Sequence, residues 1–189
     1  MALNILIALF LNVIIISLSW AVPLPRWEII PTESSITFSA TQNNAPLTGE
    51  FKSFTGTISA DPQKYQDSQI LITVKTDSVS VSYAEVATLL LTPEWFDVKK
   101  FPQAELKANE FKKIDAATYE AKGTLTIKDK IMPVKVLFNT QELSPEHWVV
   151  TGSLPIKRSE FSVGTGEWVE TDSVKDLVTI NFKLAVKRK

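Results

Sequence analysis

The 189-residue chain contains no cysteine. That excludes disulfides, thiolate nucleophiles, zinc sites built on paired cysteines and acylation of a lipoprotein cysteine. Histidine is almost missing too: His147, between Glu146 and Trp148, is the only one. A Ser-His-Asp triad would have to use it, yet it falls at an expected turn-to-strand junction, where an inert surface role is the rule. With one imidazole and no thiolate, no zinc or copper site is expected, and the acidic residues lack the spacing of a calcium loop. GxSxG, Walker and HExxH patterns are all missing. Gly164-Thr165-Gly166 reads as a turn, because no helical pattern follows it to cradle a phosphate. Nor is there an excess of either charge: 20 Lys and Arg face 21 Asp and Glu, for a net charge of -1. Nucleic-acid binding needs a concentrated basic face, and Lys187-Arg188-Lys189 is too short to provide one. No enzyme, cofactor, metal or nucleic-acid partner is expected.

Charged side chains are also missing from residues 1–21, MALNILIALFLNVIIISLSWA. The apolar run from Ile5 to Leu18 is broken only by Asn12 and Ser17. Ser19 and Ala21 supply small residues where a signal peptidase reads, so a signal peptide cleaved after Ala21 is expected. Left uncleaved, the same segment is just long enough to span a bilayer as an anchor. Either way the remaining chain, residues 22–189, would face the far side of a membrane, periplasmic or secreted.

What is present is apolar alternation. Hydrophobic residues make up 44% of the chain, enough for a real core. Ile36, Phe38 and Ala40 share one face of a strand over 35–40. In a second strand, over 69–81, Ile70, Ile72 and Val74 oppose Leu71, Thr73 and Lys75. Thr124 to Ile127 and Met132 to Phe138 read as a hairpin around Lys128-Asp129-Lys130, without the usual turn glycine. Residues 178–184 alternate again. About eight or nine strand-like segments joined by short turns predict one all-β domain, an antiparallel sandwich or closed barrel.

One region breaks the period of two. Tyr83, Val86, Ala87, Leu90 and Leu91 fall at helical spacing. Ser82 with Glu85 forms a capping-box pattern at the helix start, and Pro93 stops the helix. Thr92-Pro93 then opens a second turn before Phe101-Pro102 returns the chain to extended backbone.

Several segments in order resemble the YceI-like family. They are Trp27 with Ser35-Ile36-Thr37-Phe38, and Gly49-Glu50-Phe51 with Phe54-Thr55-Gly56-Thr57-Ile58. Leu91 to Pro102 with Ala104-Glu105-Leu106 follows, then Gly123 to Ile127 with Pro133-Val134. Arg158-Ser159-Glu160-Phe161, Gly164, Gly166-Glu167-Trp168, Asp176 and Val178 complete the set. No one motif is diagnostic; the ordered set is. The chain departs from the pattern at Asp129, where glycine is common, and at Ser162, where a glycine often follows the Phe. The resemblance implies a lipocalin-like antiparallel β-barrel of about eight strands, export to the periplasm, and binding of polyisoprenoid or similar long-chain lipids inside the barrel.

The residues fit that implication. Phe38, Phe51, Ile72, Leu106, Val136, Phe138 and Phe182 are the inward candidates, as ligand wall or as packed core. Each methylene taken from water contributes about 0.8 kcal/mol, so a long apolar ligand needs such a wall. The helix and its sequel, with Leu90, Trp95, Phe96 and Phe101, are read as a lid at one barrel end. Arg158 is expected to pair with a carboxylate or to meet a lipid phosphate or carboxylate. The competing reading is a filled β scaffold that meets a membrane-protein partner and holds no ligand; oligomeric state, a dimer included, is left open.

Overall fold

The computed structural model describes residues 23–189. The expected signal peptide lies outside the described residues. Among the described residues no helix is long and apolar enough to cross a membrane.

Eleven strand segments form one antiparallel sheet. They are β1 (Arg26–Ile29), β2 (Ser35–Gln42), β3 (Ala45–Phe51), β4 (Phe54–Ser59), β5 (Gln69–Lys75), β6 (Val79–Val81), β7 (Gln103–Lys113), β8 (Thr118–Ile127), β9 (Lys130–Ser144), β10 (His147–Lys157) and β11 (Leu177–Arg188). The helix α1 (Ala84–Leu90) interrupts them between β6 and β7. The order β1-β4-β5-β7-β8-β9-β10-β11 is closed by pairing of β1 with β11, giving an eight-stranded barrel. Closure removes the free edges that an open sheet would expose to aggregation.

Three staves of the barrel are broken rather than continuous. β11 is long enough to pair with both β1 and β2: Trp27 faces Arg188, while Phe38 faces Ile180. The break between β1 and β2 is a short turn opened by Pro31, which cannot donate to a ladder. β3 gives way to β4 at Lys52-Ser53, and β5 to β6 at Thr76–Ser78. The last break corrects the expectation of one strand over 69–81. Thr76 is 1% exposed; its amide donates to Pro102 O at 3.0 Å and its hydroxyl to Phe101 O at 2.8 Å. These bonds end the β5–β7 ladder, and the chain bends to pair Val81 with Gly49 of β3.

The period-two pattern is converted into an inside and an outside. On β9, Val136 is buried while Leu137 is 56% exposed. On β8, Ala121, Leu125 and Ile127 are buried. Gly123 stands in the same inward row because a Cβ there would lie 1.8 Å from Lys107 O, where β7 bulges between Ala108 and Glu110. The β8–β9 connection is a two-residue turn, Lys128-Asp129, shorter than the three residues expected, with Lys128 at φ 55.

The predicted capping box is not made. Helix α1 begins at Ala84 with Tyr83 as its N-cap, and no side chain caps it. Ser82 lies one residue too early for that role. Tyr83, placed by sequence on the apolar face, is 67% exposed; Leu90 is the residue that the helix buries.

Candidate functional site: an apolar cavity between a lid and a mouth

The barrel encloses a cavity of about 320 Å³ with an almost wholly apolar wall. Eleven of the twelve sequence-named residues line it. Phe38, Ile72 and Val136 are buried in the wall; Phe51, Leu106, Phe138 and Phe182 are partly buried against the core. Leu90, Trp95, Phe96 and Arg158 close one end. Phe101 is the exception: it lies outside the wall, its carbonyl bonded to Thr76 and its ring under Lys100 at 5.1 Å.

The closed end is built from two crossing segments, of which the sequence reading identified one. The first is α1 with the turns that follow it. Thr92 donates its hydroxyl back to Leu89 O at 2.8 Å, and the amides of Trp95 and Asp97 both donate to Thr92 O. That compact turn swings Trp95 inward to 6% exposure and sets Phe96 edge-on to Phe51, with centroids 5.7 Å apart. The second is the long connection from Arg158 to Asp176, which carries Phe161, Val163, Trp168 and Val174 into the cavity wall. The amides of Gly164 and Thr165 donate to Glu94 O at 2.8 and 2.9 Å, and Trp168 packs on Trp95 at 5.7 Å. Lys128, in the β8–β9 turn, donates to Pro93 O at 3.0 Å and Ser162 O at 2.9 Å, fastening both segments. Burial pushes the Lys128 pKa down, against the pull of Asp97, Asp129 and Glu94.

Arg158 organises the second segment in a way the sequence did not reveal. It is 3% exposed. The expected carboxylate pairing is corrected: its guanidinium Nη atoms bond to five backbone carbonyls instead. Nη1 donates to Val163 and Gly164 at 3.0 Å each; Nη2 donates to Trp168, Glu170 and Val174 at 2.8, 3.2 and 2.9 Å. The connection curls around one cation because the carbonyls of its buried residues, Val163, Gly164 and Val174, are withheld from water and must find a donor from within. Gly164, at φ 79, leaves room for this: a Cβ there would lie 2.3 Å from Nη1. Burial pushes the Arg158 pKa below its ordinary value, opposed by the Asp176 charge. For Asp176, burial acts upward, but hydrogen bonds from Ser159 and the Arg158 charge hold its pKa below the usual value. Ser162, where the family pattern often has glycine, is in the left-handed region at φ 53.

The opposite end is a mouth with an aromatic collar. Tyr119 stacks on Phe138 at 5.6 Å and meets Tyr65 edge-on at 5.6 Å. Trp27 and Trp148 form a second edge-on pair at 6.4 Å. All five residues line the cavity, and Trp27, Tyr119 and Trp148 also face an outer recess containing Gln63, Lys113, Glu142 and Arg188. Sequence reasoning named Phe138 as an inward residue but missed the collar around it, because Tyr65 sits in a 3-10 turn between strands and neither Tyr119 nor Trp148 was singled out as lining. His147 lies away from the cavity, its Nε2 3.4 Å from a Glu33 carboxylate oxygen.

The model of the YceI-like domain matches residues 27–186. The chain belongs to the YceI-like family. A UPF0312 protein of Pectobacterium atrosepticum is 34% identical over 90 residues, 48% of this chain and 46% of that protein. One from Pseudomonas putida strain F1 is 32% identical over 99 residues, 51% of this chain and 52% of that protein. The chain thus spans about half the length of the curated relatives it matches. Among solved structures, BcnA of Burkholderia cenocepacia superposes with a TM-score of 0.80 at 32% identity, covering 83% of this chain and 98% of that one. A polyisoprenoid binding domain from Saccharophagus degradans, at 15% identity, shares the fold with a TM-score of 0.71 over 86% of this chain and 98% of its own.

Proposed function

We propose that this YceI-like protein binds, sequesters or carries a long-chain apolar molecule, a polyisoprenoid or other lipid, inside its barrel. The observation that carries the reading is the apolar cavity that runs between lid and mouth. Its size, about 320 Å³, lies at the lower end of the range for small-molecule sites. A filled scaffold would have no such space, since protein cores pack at crystal density. The fold shared with a polyisoprenoid binding domain from Saccharophagus degradans supports the ligand class. The uncharged apolar leader over residues 1–21 supports export, so the site of action proposed is the periplasm or the cell exterior.

The decisive experiment is extraction of purified protein with organic solvent, mass spectrometry of the extract, and titration of the emptied barrel with long-chain probes. A stoichiometric long-chain lipid, or saturable uptake of such a probe, is the expected result. An empty extract together with no saturable uptake would sink the proposal. Recovery in the cytoplasmic fraction would overturn the location alone.

A further inference from the structure

Two buried nitrogen donors at the lid end have no partner: Nε of Arg158 and Nε1 of Trp95. Buried donors of this kind are rare, because each left unpaired costs about 1–3 kcal/mol. The remaining unpartnered buried side-chain atom among the described residues, Nε2 of His147, at least faces a carboxylate oxygen at 3.4 Å. The Arg158 and Trp95 side chains are neighbours, since the guanidinium carbon lies 5.7 Å from the Trp95 ring centroid. Both side chains line the cavity. Around them, Leu90, Phe161 and Val163 offer no polar side-chain atom. The backbone oxygens of Val163, Gly164, Trp168 and Val174 are already taken by the Arg158 Nη atoms. This corner is rich in donors and short of free acceptors.

We infer that the molecule held in the barrel ends, at the lid, in a carbonyl or carboxylate oxygen that accepts hydrogen bonds from Arg158 Nε–H and Trp95 Nε1–H. This rests on the proposed function and adds the chemistry and orientation of the ligand. The oxygen-bearing end lies innermost, and the apolar remainder runs along the wall toward the aromatic collar. A plain hydrocarbon would fill the wall and leave both donors unpaired. A hydroxyl could accept from them, but its own hydrogen would find few free acceptors. The guanidinium charge makes a carboxylate as acceptable as an ester carbonyl in principle, since charge-assisted bonds are the stronger ones.

The test compares three probes of equal chain length on the delipidated protein: hexadecane, methyl palmitate and palmitate. Methyl palmitate or palmitate, or both, should bind about tenfold more tightly than hexadecane, the worth of one buried donor satisfied. Which of the two is preferred tells a neutral carbonyl from a carboxylate. In Trp95→Phe, which keeps a ring and removes the N–H, the preference over hexadecane should shrink severalfold. A readout on the unmutated protein guards against misfolding of the variant. The ¹H–¹⁵N signals of Trp95 Nε1 and Arg158 Nε should move downfield with the oxygenated probe and not with hexadecane. Equal affinity for all three probes, or donor signals that respond alike to all, would overturn the inference and leave the lipid-binding reading standing. Failure of every probe to bind would overturn both.

Discussion

The two ends of the barrel are closed by different physics. At the lid, two chain segments cross and are locked by directed bonds: five carbonyls on Arg158, two on Lys128, and two amides on Glu94 O. At the mouth, closure rests on ring contacts among Tyr65, Tyr119 and Phe138, backed by Trp27 against Trp148. Hydrogen bonds buried in low dielectric tolerate little displacement, whereas ring contacts are soft and can be exchanged for contacts with a ligand. On the proposed function, this difference makes the mouth the end through which a ligand would pass and the lid the fixed floor against which it would stop.

The comparison can be broken most severely at the lid. Arg158→Met would leave the carbonyls of five residues without their donor, and a loss of about 3–5 kcal/mol in urea unfolding is expected. An unchanged midpoint would mean that the loop does not depend on its cation. Near the mouth, Phe138→Asp places a carboxylate on the inner wall; about 2–4 kcal/mol of stability should go, together with uptake of a long-chain probe. Retention of both would show that this face does not border a dry interior. Tyr65→Ala sharpens the contrast more gently. Removal of one ring contact should cost about 1 kcal/mol and speed probe release in stopped-flow measurements. Release no faster than in the unmutated protein would point to a different exit. The smallest effect is a gain: Ser162→Gly relieves a left-handed residue in the lid and should stabilise by about 0.5–1 kcal/mol, read as a rise in Tm.

The site was partly legible before folding. Phe38, Ile72 and Val136 could be named as inward residues because strand alternation is local, and the lid helix because its spacing is local too. Phe101 lies outside the wall for a reason no local pattern shows: an aromatic before Pro102 in a lid-like stretch gives no sign that its carbonyl will accept from Thr76 while its ring lies against Lys100. The second half of the lid was quoted in the sequence as Arg158, Gly164, Gly166 and Trp168, yet nothing local says that these residues wrap a cation.

The sequence by itself determined the strands, the apolar inner wall and the family, because each follows from the order and periodicity of neighbouring residues. Tertiary structure alone decided that three staves break, that the barrel is hollow, and that Glu94 meets Thr165 across a separation of 71 residues. It also decided that Arg158 serves carbonyls instead of a carboxylate. The physical reason is common to all four. A side chain's period fixes which way it points, but what it meets there depends on closure of the whole barrel.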